Sequence, residues 1–244
     1  MHRLAAAAAV LILAWGAHAR AGDDTIFQYS TLDALSAGVF DGEMSFGELA
    51  RHGDLGLGTF NALDGEMVAF DGAFWRITHD GTVHPVGPEE LTPFAAVTPF
   101  AADAAFALEG GLDLAGLSAL LDSRLVDRNT SVAIRIDGVF AELTIRAPER
   151  QEKPYVGLVE ALASQNTWQH EEIEGTMVGF WFPAWMGTIN APVWHLHFLS
   201  ADRSVGGHVL AARTGKAEVQ LDRSPDMSLV LPRTQAFADA VIGQ

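Results

Sequence analysis

The chain contains no cysteine. That absence removes disulfide frameworks, thiolate zinc fingers, iron–sulfur clusters and cysteine nucleophiles. Any metal site has to be assembled from His, Asp and Glu. Basic residues are scarce too: 15 Lys and Arg against 31 Asp and Glu leave a formal charge of −16. A surface that acidic repels phosphate backbones and anionic lipid, which argues against nucleic-acid binding and electrostatic membrane docking. Long apolar runs are confined to the first residues; beyond them no stretch approaches spanning length, and no internal repeat or low-complexity tract follows. What remains is a globular composition, 49% hydrophobic over 244 residues, enough for one large domain or two modest ones with a sizeable core.

Residues 1–21 (MHRLAAAAAVLILAWGAHARA) read as a signal peptide: Arg3, an apolar run from Leu4 to Trp15, then small residues at Ala17, Ala19 and Ala21. As a helix that run rises only about 18 Å, short of the roughly 20 residues a membrane span needs. Ala-x-Ala precedes both Arg20 and Gly22 and marks two cleavage points. Cutting before Gly22 removes two of the 15 basic residues and none of the acidic ones, moving the charge from −16 to −18. The expected product is an exported protein, periplasmic or extracellular, with no membrane attachment after cleavage. Absence of cysteine suits an oxidising compartment.

Along the remaining chain the pattern predicts a mixed, β-rich α/β protein. Ile26–Gly38 starts extended and turns helical, and Ser45–Ala50 is a short helix with Ser45 as N-cap and Glu48 at the capping-box position. Asp64-Gly65, Asp71-Gly72 and Asp80-Gly81 punctuate an antiparallel meander. Leu91–Phe100 is extended, and leucines at 114, 117, 120, 121 and 125 mark an amphipathic helix over Leu112–Val126. SVAIRIDGVFAELTIRA reads as two strands around an Asp137-Gly138 hairpin, and Tyr155–Ser164 as a short helix. From Glu174 onward come GTMVGFWFPAWMG, VWHLHFLS, GGHVLAARTG, AEVQLDR and MSLVLP as successive strands. A soft boundary near residue 130 divides a two-lobed body: an N-terminal α/β lobe over 22–130 with a mixed sheet, and a C-terminal lobe over 131–244 with an antiparallel sheet.

The sharpest chemical feature is WHLHFLSADRSVGGHVL. Alternate residues of a strand share a face, so His195 and His197 point one way while Trp194, Leu196 and Phe198 point into a core. If the runs on either side of SADRSVGG form a hairpin with its turn centred between Asp202 and Arg203, His208 lies opposite His197. Directly opposed residues bring Cβ atoms to about 4.5–5.5 Å, close enough for three imidazoles to converge on one cation. Three histidines with an open fourth position is a catalytic-zinc arrangement. Residue types alone leave other readings open: a secreted His₃ zinc hydrolase, a non-enzymatic metal-binding module, or two exposed strand histidines with a third nearby. His52, His79, His84 and His170 have no partner at ligand spacing and read as surface or turn residues.

Five segments, in order and spanning nearly all of the chain after the leader, carry a resemblance to acetolactate decarboxylases: FQYSTLDALSAGVFDGEM, HGDLGLGTFNALDGEM, TPFAAVT, IRAPERQEKPY and HLHFLSADRSVGGHVL. The resemblance implies metal-dependent decarboxylation of 2-acetolactate to acetoin and CO₂, through an enediolate that is protonated on one face. It implies a Zn²⁺ on His195, His197 and His208, carried by the C-terminal antiparallel sheet. The family's glutamate in the LDGE motif matches Glu66, its threonine in GLGT matches Thr59, and its arginine before the Pro-Tyr stretch matches Arg146. Glu66 would manage the proton, Arg146 would hold the anionic substrate, and Thr59 would bind substrate or cap the glycine-rich turn. By residue type alone Glu66 is a turn residue and Arg146 a strand-end charge. The implied assembly is a homodimer in which the N-terminal sheet can continue across the interface. Some members also bring a glutamate from a C-terminal tail; here no carboxylate lies beyond Asp239, whose surroundings do not match, so that role is not carried over.

Overall fold

The computed structural model describes residues 24–243, so the expected signal peptide at 1–21 and its cleavage points lie outside the described residues. The first elements follow the pattern expected of them. Strand β1 (Thr25–Tyr29) leads into helix α1 (Leu32–Ser36), whose N-cap Thr31 accepts from the Ala34 amide. Strand β2 (Met44–Ser45) precedes helix α2 (Phe46–Leu49), where the Ser45 side chain accepts from Glu48 N. Both caps satisfy an amide that the first helical turn leaves unpaired.

The meander comprises β3 (Leu55–Thr59), β4 (Glu66–Phe70), β5 (Ala73–Ile77) and β6 (Val83–Pro85). Asp71 and Gly72 both have positive φ, 53° and 73°, the signature of a tight type I′ connection between β4 and β5. Strands β7 (Leu91–Thr92), β8 (Ala95–Thr98) and β9 (Ala104–Leu108) follow, then helix α3 (Leu114–Arg124), capped by Asp113. The second half contains β10 (Ser131–Ala147), α4 (Leu158–Ala161), β11 (Asn166–Phe182), β12 (Val193–Ser200), β13 (Gly206–Ser224), β14 (Asp226–Val230) and α5 (Gln235–Asp239).

Two main sheets result. The first is mixed, in the order β14-β1-β8-β3-β4-β5-β6, with β14 parallel to β1 and the other pairs antiparallel. The second is antiparallel, β10-β11-β12-β13-β9, and β10 also pairs with β13, so four of its strands close into a ring. The sheets exchange strands across residue 130: β9 joins the second sheet and β14 joins the first. Ile26, Leu57, Val68 and Ile77 of the first sheet pack against Ala133, Val178, Phe180 and Leu199 of the second. Inside the ring, Ile134, Ile136, Phe140 and Phe198 meet Leu117 and Leu121 of α3. Leu117 and Leu121 are both fully buried, and each such side chain contributes about 1.5–3 kcal/mol.

Three strand assignments differ from the sequence expectation. Residues 131–147 form one strand rather than a hairpin around Asp137-Gly138. Gly138 serves close approach: a Cβ there would lie 2.5 Å from the Ala217 Cα of β13, and the β10–β13 register shifts just beyond it. Asp137 is occupied in strand geometry, accepting from Arg135 Nε at 2.6 Å and Thr176 Oγ1 at 2.7 Å. GGHVLAARTG and AEVQLDR likewise run as one strand, β13, and β11 begins at Asn166, ahead of the expected Glu174. Pairing along their length with one another carries β10, β11 and β13 past these local breaks. Gly138→Ala should therefore lower stability by about 1–3 kcal/mol through overpacking. Chemical denaturation measures it; an unchanged midpoint would mean that the crossing has room to spare.

Candidate functional site

The site lies where β3, β4 and the ends of β10, β12 and β13 meet. On β12 the alternation of side chains puts His195 and His197 on one face, and His197 pairs directly with His208 of β13, at the register the numbering predicts. Gly207 makes this possible. Its φ is 148°, and a Cβ there would meet the Arg146 carbonyl oxygen at 2.5 Å. Glycine thus lets β13 press against β10, so that Arg146 and His208 are direct register partners.

The three imidazoles converge, with ring centroids 4.9–5.2 Å apart. One ligating atom from each lies within 4.8 Å of the others. The His197 Nδ1–H donates to the Met67 carbonyl at 2.7 Å, which leaves Nε2 as the lone-pair nitrogen. That Nε2 is buried and has no hydrogen-bond partner, as is His195 Nδ1; His195 Nε2 stands 3.1 Å from His208 Nδ1. All three rings are held in the neutral form. Burial, followed by the charge of Arg146, pulls His195 down to about 4. Burial and the neighbouring His195 depress His197 and His208 well below the usual histidine range. Neutral imidazoles whose nitrogens converge on one point are what a divalent metal requires of its ligands. The residues present fit a divalent metal ion, and the contact of His197 with Met67 is the orienting bond such a ligand needs.

Glu66 begins β4 and is 6% exposed. Its Oε2 lies 3.5 Å from His197 Nε2 and its Oε1 3.9 Å from Arg146 Nη1. Burial pushes its carboxyl up to about 7, against the opposing pull of Arg146. Thr59 is its register partner on β3. The buried Thr59 hydroxyl donates to the Gly65 carbonyl at 2.7 Å, which secures the turn leading into Glu66. Arg146, at the end of β10, donates from Nη1 to Gln165 Oε1 at 3.0 Å.

These residues line a cavity of about 310 Å³. Among the described residues that line it, Arg146 is the one Lys or Arg and Glu66 the one carboxylate. Leu32, Leu35, Leu63, Phe94, Leu158 and Leu162 supply an apolar wall, and no described residue beyond His208 contributes to the lining. All six residues singled out in the sequence (Thr59, Glu66, Arg146, His195, His197 and His208) therefore meet in one place.

Sequence reasoning missed three contributors. The Met67 carbonyl and Gln165 act through contacts that cross the fold, which no spacing rule reports. Trp194, expected in the core, does pack against the core of the second sheet, but it is half-buried, also borders the cavity and donates from Nε1 to Asp122 Oδ1 at 2.9 Å. It sits near the start of β12, opposite Trp181, where a half-buried indole N–H needs a partner.

Comparison with known proteins agrees with this geometry. The family model described as alpha-acetolactate decarboxylase matches residues 26–244. An alpha-acetolactate decarboxylase of Methanosarcina mazei is 42% identical over 221 residues, covering 91% of this chain and 77% of its own. One from Methylococcus capsulatus is 41% identical, covering 89% and 84%. The crystal structure of alpha-acetolactate decarboxylase from Bacillus subtilis strain 168 superposes with a TM-score of 0.89 at 38% identity, covering 90% of this chain and 94% of that one. By sequence and fold, the chain belongs to the alpha-acetolactate decarboxylase family.

Proposed function

We propose that this protein decarboxylates 2-acetolactate to acetoin and CO₂, with Zn²⁺ held by His195, His197 and His208. The observation that carries the reading is three converging imidazoles, one buried and two half-buried, facing a cavity whose charged lining is one arginine and one glutamate. 2-Acetolactate is a β-keto acid, so loss of CO₂ leaves an electron pair beside a ketone, and the barrier is the unstable enediolate. When bound, a zinc ion supplies a Lewis acid worth several kcal/mol of charge stabilisation at that oxygen.

The protein's own groups do the rest. Arg146 binds and orients the anion through charge-assisted hydrogen bonds; its persistent charge suits it to that task rather than to donating a proton. The leucines and Phe94 take the two methyl groups and keep water from the carbon that loses CO₂. Glu66, buried within reach of both His197 and Arg146, carries the proton to that carbon. Delivery from one wall reaches one face, which yields a single acetoin enantiomer. Thr59 serves by holding the turn that aims Glu66. The proposal extends to the setting: an exported homodimer, processed at its leader, whose acidity maintains solubility. Long-range attraction cannot recruit an anion to a chain of charge −16, so capture is local.

Purified protein given 2-acetolactate should release acetoin and CO₂ in equal amounts. A strong chelator should stop this, and added zinc should restore it. Full turnover in a rigorously metal-free preparation would overturn the metal, and no acetoin with any divalent metal would overturn the activity in favour of hydrolysis or metal storage.

A further inference from the structure

We infer that Gln165 is a positioning residue: it fixes the Arg146 guanidinium at the cavity wall without adding a negative charge of its own, an inference that rests on the function proposed above. Gln165 sits in the turn just before β11, its own amide donating to the Leu162 carbonyl at 3.2 Å. Pairing of Ala147 with Asn166 closes the β10–β11 ladder, so the Gln165 side chain reaches back over the end of the ladder to Arg146. There its amide oxygen accepts from Nη1 at 3.0 Å.

The choice of partner matters. Several other arginines of this acidic chain pair closely with carboxylates: Arg135 with Asp71 and Asp137, both at 2.6 Å, and Arg223 with Asp127 at 2.7 Å. At Arg146 the one carboxylate within 4.0 Å among the described residues is Glu66, at 3.9 Å, beyond hydrogen-bond length. A carboxylate in place of the amide would form a short ion pair, and an incoming anion would have to compete with it. A neutral amide oxygen orients the guanidinium through a dipole and adds no second negative charge for the substrate to compete with. Rotational freedom is also curbed, since an unanchored arginine has many rotamers to lose when it binds.

Two variants of the zinc-loaded enzyme test this. Gln165→Glu keeps the acceptor and adds charge. Gln165→Met keeps the length and removes the acceptor. Gln165→Glu should raise KM for 2-acetolactate by roughly tenfold or more, with kcat changing less, because it removes substrate binding. Gln165→Met should lower kcat/KM by about five- to tenfold, the loss of one orienting hydrogen bond. Zinc content and thermal midpoint, read in parallel, should stay at wild-type values in both. The dissociation constant of 2-hydroxy-2-methylpropanoate, a carboxylate that cannot be decarboxylated by this route, should rise in Gln165→Glu by the same factor as KM. That arm needs no turnover. Wild-type protein that makes no acetoin would sink the proposed function, whereas wild-type KM, kcat and analogue affinity in both variants would sink the role of Gln165. Loss of zinc or of folding with unchanged KM in the remaining active fraction would also sink it, by showing that Gln165 is merely structural.

Discussion

Replacing His197 with alanine should abolish acetoin formation and metal retention together. His197 is 1% exposed and its ring spans the two sheets, Nδ1 donating to the Met67 carbonyl and Nε2 facing the other two imidazoles. Losing it removes one of three ligand nitrogens and the bond that fixes the ring's tautomer. Loss of such an orienting bond alone costs roughly 10–100-fold in metal affinity or activity. If the metal supplies about 5 kcal/mol of transition-state stabilisation, its loss amounts to roughly 10³–10⁴-fold in rate. Alanine also removes the His197–Met67 bond between the sheets, at a cost of about 0.5–1.5 kcal/mol in stability, an effect distinct from the catalytic one. His195→Ala separates the two, since the His195 ring makes no bond across to the first sheet. Zinc analysis, thermal unfolding and acetoin release on both variants decide the matter: zinc retained at full stoichiometry in either would exclude that histidine as a ligand.

Glu66→Gln should show the opposite split, with zinc kept and turnover lost. Gln has nearly the same volume, and the position is buried, so packing against Thr59 and His197 changes little. The substitution deletes the ability to hold and release a proton. General acid–base catalysis by a positioned side chain contributes typically about 10²–10⁴-fold, and kcat should fall by that order with KM little changed. Acetoin formed by the variant should also lose enantiomeric purity, because protonation would come from water on either face. A variant with wild-type kcat and a single enantiomer would show that some other group delivers the proton.

Much of the local structure is legible in the sequence. Ser45 and Glu48 announce a helix start because a short side-chain acceptor can satisfy a free amide, and Ser45 does accept from Glu48 N. Asp71-Gly72 announces a hairpin because both residues tolerate positive φ. The His-x-His alternation and the eleven residues from His197 to His208 specify one strand face and one hairpin register. Asp137-Gly138 carries the same dipeptide signal as Asp71-Gly72 and means something else. Glycine serves a turn or a close backbone approach equally well, and only the arrival of Ala217 decides which.

The sequence by itself determined the chemistry available to this protein: no thiols, an excess of acids, and three histidines at a spacing that one hairpin can bring together. It also determined the short helices and tight turns, because caps and φ preferences act within a few residues. Only the tertiary structure decided what surrounds those histidines. The exchange of β9 and β14 between sheets, the closure of β10 onto β13, the approach of Glu66 to a histidine 131 positions away and the amide partner of Arg146 all depend on contacts across the fold. Such contacts are chosen by burial and close packing among segments far apart in the chain, and no local window records them.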